Sequence, residues 1–180
     1  MYLATVEQLA EVADRMARLI ARIKPDQWAD PTPCTDWDVQ SLVAHVINGN
    51  VMVVAAISGR APTYRSLRTD FEESAATMVA AFGLPGALGK IVEVPFGRVP
   101  GAIALHLRLT ELLAHGWDLA TATGQPADFP DEIVEQEIAF TIGALTEIPP
   151  DRTPFAPPTA VADDAPPLDR LVARLGRTLA

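Results

Sequence analysis

The segment that decides the fold is residues 105–123, which read LHLRLTELLAHGWDLATAT. Leucine and alanine recur here at helical spacing without a proline, so we predict a helix that begins at Gly101 and ends before Gly124, a natural C-terminal cap. Glu111 and His115 are four residues apart, which places them on one face of this helix, ~40° and one turn apart. A carboxylate and an imidazole at this spacing can bind one divalent metal.

A glutamate four residues before a histidine has a simpler interpretation, a surface ion pair worth a few tenths of a kcal/mol. The metal interpretation is favoured by His45, which lies at the border of the apolar stripe of another predicted helix. Together His45, Glu111 and His115 would supply three ligands and leave a coordination position open, as catalytic metal sites require. The donors do not fix the identity of the metal, since nickel and ferrous iron also suit them. His45 is equally compatible with a partly buried histidine that has a hydrogen-bond partner.

Two further polar residues share the face of Glu111 and His115. Arg108 lies ~20° from His115 around the helix, and Asp118 follows His115 by three residues. We predict catalytic roles for both, with Asp118 orienting an imidazole and Arg108 holding a substrate carboxylate. The alternative is a ladder of ion pairs within the helix. His106 lies roughly opposite His115 and is excluded from the site.

The rest of the chain is also predominantly helical. We predict an all-α fold in one domain of residues 1–180, with further helices at residues 3–23, 36–58, 66–82, 131–145 and 168–179. Thr35 is the expected N-cap of the second helix, because Thr35 and Asp38 have the spacing of a capping box. A short extended segment is expected at 90–94, and the prolines of 147–167 exclude a continuous helix there.

Composition limits the functions and the cellular location. The 180 residues are 49% hydrophobic with a net charge of −9, which argues against a general nucleic-acid binder. The apolar runs are short, so no membrane partner is expected, and the many apolar residues are compatible with a homodimer. Cys34 is the single cysteine and no secretory signal is visible, which indicates the cytoplasm. We expect Cys34 to be a packed loop residue, since a helical rise of ~16 Å would separate it from His45; a reactive thiol at a helix start is the alternative.

Several motifs together carry a family resemblance. They are PTPCTDWDV at 31–39, followed by Leu42 and His45, then RLTELLAHGWDLA at 108–120, Pro157–Pro158 and DAPPLDR at 164–170. With these motifs the chain resembles the actinobacterial metal-binding proteins related to mycothiol-dependent maleylpyruvate isomerase, in the DinB-like superfamily. The resemblance covers nearly the whole chain.

The resemblance implies a DinB-like four-helix bundle with a long crossover and an extra short C-terminal helix. It implies a divalent metal, usually zinc, held by His45, Glu111 and His115, and mycothiol as cosubstrate. The isomerase carries an additional C-terminal domain that these residues do not include, so the expectation covers metal binding rather than maleylpyruvate isomerisation itself. We therefore expect a metal- and mycothiol-dependent transferase or isomerase acting on a small electrophile. The alternatives are a non-catalytic metal-bearing module that binds or senses a ligand, and a structural bundle without metal.

Overall fold

The computed structural model describes residues 3–59, 67–95, 97–147 and 155–179. The helices are α1 (Val6–Ala21), α2 (Val39–Ser58), α3 (Leu67–Phe82), α4 (Gly101–Thr123), α5 (Asp131–Glu147) and α6 (Pro167–Arg174). Two strands, β1 (Ile91–Val94) and β2 (Gly97–Pro100), form an antiparallel hairpin between α3 and α4. This content confirms the all-α expectation.

Helices α1 to α4 form a four-helix bundle. Helix α1 packs against α3 and α4, and α2 packs against the same two helices. Helix α1 therefore lies at the corner of the bundle diagonally opposite α2, and α3 lies at the corner diagonally opposite α4. The connection at residues 83–100, which contains the hairpin, joins two such corners and is the long crossover that the family resemblance implies. Helices α5 and α6 pack against α4 and against each other.

Helix α4 is the central element of the molecule. Seventeen of its 23 residues are buried, so it is enclosed on nearly all sides rather than along one stripe. All of its leucines except Leu107 enter a core shared with the other five helices. The polar residues on α4 must therefore find partners inside the protein, because an unpaired buried polar group costs free energy. Its bounds, with Gly124 as C-cap, agree with the prediction.

Helix α2 begins later than predicted. Its N-cap is Asp38, whose side chain accepts a hydrogen bond from the backbone N–H of Ser41, and Thr35 lies in a turn outside the helix. The preceding loop explains the difference, because the Thr32 hydroxyl bonds the carbonyl oxygens of Cys34 and Trp37 at 3.0 and 2.8 Å. These bonds hold residues 34–37 in a compact turn that a helix starting at residue 36 would break.

Other boundaries differ from the predictions by a few residues. Helix α1 is shorter than residues 3–23 because Thr5 caps it with a capping box that includes Gln8. Helix α6 ends at Arg174 rather than near residue 179, because Gly176 has φ 85° and packs onto Ala156, where a Cβ would lie 2.5 Å away. Helix α5 extends to Glu147. Ser66, the predicted start of the third helix, lies outside the described residues.

The extended segment expected at 90–94 is one strand of an antiparallel pair. Ile91 pairs with Pro100 and Val94 with Gly97, so residues 97–100 form a second strand, which the sequence analysis did not predict. The hairpin packs against α2 and α4. It thereby closes one side of the space between these two helices, where the candidate site lies.

Helix α2 is long and apolar enough to cross a membrane by length and composition alone, with a mean hydropathy of 1.6, contrary to the expectation from short apolar runs. Buried helices of bundle cores pass the same test. Eight residues of α2 are buried between its neighbours, and 44% of the apolar window is buried within the protein.

Candidate metal centre

Three side chains from two helices converge at one point. His45 comes from α2, and Glu111 and His115 come from α4; one ligand atom from each lies within 4.8 Å of the other two. The Nε2 atom of His45 is 3.9 Å from Oε1 of Glu111. The sequence prediction that these three side chains meet therefore agrees with the geometry. That they bind a metal stays a prediction.

Aromatic packing orients the two imidazoles. The ring of His45 stacks on the indole of Trp37 with centroids 4.2 Å apart, and meets the ring of His115 edge-on at 5.1 Å. Burial lowers the pKa of His45 below its ordinary value, and nearby His115 lowers it further. A lowered pKa favours the neutral imidazole, which is the form that binds a metal.

Asp118 orients His115 through a hydrogen bond to the ring nitrogen that faces away from the predicted metal. The Nδ1 atom of His115 is 3.0 Å from Oδ2 of Asp118, a fully buried carboxylate, so Nδ1 donates and Nε2 is left for a ligand. Burial alone would raise the pKa of Asp118, but the hydrogen bonds from His115 and Arg177 outweigh it and lower the pKa. A carboxylate that fixes the tautomer of a ligating histidine is a regular feature of metal sites. This geometry supports the orienting role predicted for Asp118.

Arg177 is the residue that sequence reasoning missed. Its guanidinium donates to both oxygens of Asp118, at 2.9 and 3.3 Å, and to the carbonyl of Leu175. It lies 59 residues after Asp118, beyond α6, so no helical spacing connects the two. The only available signal was the requirement of a buried aspartate for a counter-charge, which does not say where that charge comes from.

Arg108 has partners other than a substrate. Its side chain is 3% exposed; one terminal nitrogen donates to Glu111, and the other donates to Oδ1 of Asn50 at 2.7 Å and to the carbonyl of Val46 at 3.3 Å. Gly49 makes room for it, since a Cβ there would lie 2.2 Å from the guanidinium. These contacts favour the ion-pair interpretation, in which Arg108 positions Glu111. The predicted clamp for a substrate carboxylate finds no support in them.

Cys34 lies closer to the site than expected. Because α2 begins at Val39, the turn before it folds back and Cys34 lines the same cavity as His45 and His115. Burial raises the pKa of the Cys34 thiol, and the charge of Asp118 raises it further. The thiol does not belong to the cluster of close ligand atoms found among the described residues.

The three converging side chains border a cavity of about 440 Å³, a volume suited to a small molecule. It lies between α2, α4 and α5, with the hairpin and the segments around Cys34, Phe155 and Arg177 at its edges. The donor set fits a divalent metal: two imidazole nitrogens and one carboxylate oxygen are ordinary zinc ligands, one imidazole is already oriented by an acid, and the remaining side is open to the cavity.

The chain is similar to several known proteins. A family model described as the mycothiol maleylpyruvate isomerase N-terminal domain matches residues 9–66, which include His45. The uncharacterized protein Rv0738 of Mycobacterium tuberculosis is 36% identical over 172 residues, covering 92% of this chain and 93% of the relative. The chain belongs to the mycothiol maleylpyruvate isomerase N-terminal domain family. The predicted family resemblance is thereby confirmed.

Other relatives of this family bear on the fold. The uncharacterized protein Rv0036c of the same organism is 29% identical over 145 residues, which cover 66% of this chain and 56% of the relative. The crystal structure of a mycothiol-dependent maleylpyruvate isomerase superposes with a TM-score of 0.59 at 20% identity, covering 75% of this chain and 70% of that one. A mutant of that isomerase gives 0.57 at 19% identity. The DinB-like helical bundle is therefore confirmed.

Proposed function

We propose that the protein is a divalent-metal enzyme that uses a low-molecular-weight thiol, mycothiol, as cosubstrate. It would either transfer the thiol to a small electrophile or isomerise that electrophile. The observation that carries this proposal is the convergence of His45, Glu111 and His115 at the wall of a cavity large enough for a small molecule. Two findings support mycothiol as the thiol. The family is that of the mycothiol maleylpyruvate isomerase N-terminal domain, and the structural relative is a mycothiol-dependent maleylpyruvate isomerase.

Different residues of the site would bind the metal and position its ligands. His45 and His115 would hold the cation through neutral nitrogens, and Glu111 would supply one negative charge. A divalent cation bound there would lower the pKa of a thiol and so supply a thiolate nucleophile near neutral pH. Asp118 keeps His115 in one tautomer, and Arg108 keeps Glu111 turned toward the imidazoles. Zinc is the metal we propose, with nickel and ferrous iron as alternatives on the same donors.

The test combines metal analysis with activity. Purified protein should contain close to one metal ion per chain, identified by anomalous scattering at the metal edges, and should consume small electrophiles only when mycothiol is present. His45→Ala and His115→Ala should each lose the metal and the thiol-dependent activity. Gln40→Ala, an exposed change on the first turn of α2, is the control and should keep both.

Two results would overturn parts of this proposal. Thiol-dependent activity that persists in both histidine variants after metal removal would exclude the metal mechanism. One metal per chain without turnover of a broad panel of electrophiles would instead indicate a non-catalytic module that binds or senses a ligand.

A further inference from the structure

We propose that the cavity accepts an uncharged electrophile and discriminates against carboxylate-bearing ones. This substrate class rests on the proposed thiol chemistry for its catalytic meaning. The charge preference follows from the partners of Arg177 and Arg108 at the cavity and from the charges at the cavity mouth.

The first arginine, Arg177, is fully engaged by the protein. Both oxygens of Asp118 accept hydrogen bonds from its Nε and Nη2 atoms, and the carbonyl of Leu175 accepts from Nη1 at 3.1 Å. The pair is enclosed, with 10% of the Arg177 side chain and none of the Asp118 side chain exposed. A paired arginine–carboxylate unit has no net charge, so Arg177 offers little attraction to a second anion.

The second arginine, Arg108, is also neutralised. Its charge faces Glu111, and its other terminal nitrogen is taken by Asn50 and Val46. Asn50 is itself held by the hydroxyl of Ser74 at 3.0 Å, and both are fully buried, so this acceptor does not swing away to release the arginine. Among the described residues that line the cavity, no other arginine and no lysine is present.

The mouth of the cavity carries charge of the opposite sign. Asp36 and Glu93 both line it and both are exposed. Much of the inner wall is apolar, formed by side chains of α2, α4 and α5 such as Val53, Leu107 and Phe140. With a dication and a thiolate bound, the Arg108–Glu111 pair and the two acidic residues at the mouth leave one net negative charge among these groups. An incoming carboxylate would therefore pass an acidic mouth and lose its hydration without gaining a counter-charge from the described residues.

Binding of a matched pair of unreactive ligands tests this inference directly. The probes are methyl 4-methylbenzoate, which is uncharged, and 4-methylbenzoate, which has the same ring and carries one negative charge. We expect the ester to bind at least tenfold more tightly in equilibrium dialysis at neutral pH, both with the metal-free protein and with protein that carries metal and mycothiol together. An ester that binds no better than the carboxylate, or that does not bind, overturns the proposal.

A charge reversal at the mouth supplies a second measurement. Glu93→Lys should raise the affinity for 4-methylbenzoate several-fold and leave the affinity for the ester unchanged. Glu72→Lys, at an exposed position of α3 away from the cavity, changes the net charge equally and is the matched control. If Glu72→Lys raises carboxylate binding as much as Glu93→Lys does, the preference belongs to net charge and not to this cavity, and the proposal fails.

A reactive pair separates this inference from the proposed function. With methyl 4-(bromomethyl)benzoate and its free carboxylate, a carbon–sulfur bond forms, bromide leaves with the electron pair, and the thiol proton passes to solvent. The charge is remote from the reacting carbon, so intrinsic reactivity is similar. We expect kcat/KM to favour the ester by at least tenfold. Preferential ester binding without turnover of either probe would refute thiol transfer and retain the charge preference; equal turnover would refute the charge preference alone.

Discussion

At the scale of single residues, the candidate centre depends on how each buried charge is balanced. Asp118 is the clearest case, because it is fully buried yet binds both His115 and Arg177. Its carboxylate thereby connects a predicted metal ligand on α4 to a residue near the C-terminal end. Removing its charge should loosen His115 and leave Arg177 without its partner.

We predict that Asp118→Asn lowers metal affinity about 10- to 100-fold, because an amide holds the imidazole tautomer less firmly than a carboxylate does. Competition with a chelator of known affinity measures this change. Asp14→Asn, at an exposed position on α1, is the control. Unchanged metal affinity in Asp118→Asn would show that the aspartate serves the fold and not the centre.

Gly49 gives a second residue-scale prediction. A Cβ at Gly49 would lie 2.2 Å from the guanidinium of Arg108, whose acceptors on α2 and α4 hold it in place. At Gly143, on the exposed side of α5, a Cβ meets nothing within 4 Å. Gly143→Ala should be neutral or stabilising by up to ~1 kcal/mol, since alanine favours helix. Gly49→Ala should be less stable than Gly143→Ala by about 1–3 kcal/mol in denaturant unfolding. Equal free energies of unfolding would mean that Arg108 moves without loss.

At the scale of elements, the start of α2 decides which side chains reach the cavity. Because the helix begins at Val39, the preceding turn brings Cys34, Asp36 and Trp37 to the cavity instead of extending them along the helix axis. The N-cap is Asp38, and the hydrogen bond from Ser41 lowers the pKa of its carboxyl.

We predict that Asp38→Ala destabilises the protein more than Thr35→Ala, because only Asp38 caps the helix. The hydrogen bonds from Ser41 keep the pKa of Asp38 below its ordinary value in the folded state. The cap therefore contributes fully above the ordinary pKa of an aspartate and is lost as the pH falls through the folded pKa. The difference between Asp38→Ala and the parent should therefore shrink on acidification below about pH 4. Unfolding curves at neutral and acid pH measure it; a larger effect of Thr35→Ala would contradict the observed cap.

At the scale of the whole molecule, a second buried polar cluster joins three parts of the chain. Nε2 of His106 accepts from the backbone N–H of Ala4 at 3.1 Å, and Nδ1 lies 2.8 Å from Oε1 of Glu137 on α5. The hydroxyl of Thr110 donates to the other oxygen of Glu137 at 3.0 Å, and the ring of His106 stacks on Phe140. The cluster couples α4 to α5 and to the segment before α1.

We predict that Glu137→Ala destabilises the protein by about 3–5 kcal/mol, because it leaves His106 and Thr110 buried without an acceptor. Glu135→Ala removes an exposed carboxylate of the same helix that pairs with Arg170, and should cost at most ~1 kcal/mol. Denaturant unfolding of both variants measures the contrast. Similar small losses would mean that α5 is held by apolar packing alone.

Local sequence determined much of this protein. The spacing of Glu111 and His115, the bounds of α4 and the exclusion of His106 follow from 3.6 residues per turn, which needs no knowledge of the fold. Bundle formation follows from the apolar stripes. These features are predictable because they depend on neighbours along the chain.

Only the tertiary structure decided how the polar side chains pair. Arg177 reaches Asp118 across 59 residues, Arg108 turns to Asn50 and Glu111, and the turn before α2 carries Cys34 to the cavity. Which cation satisfies a buried carboxylate depends on the packing of helices distant in sequence, and a helix start depends on bonds that compete with its first turn. The same pairing leaves the two arginines at the cavity already neutralised, and this charge balance is what the proposed preference for an uncharged substrate depends on.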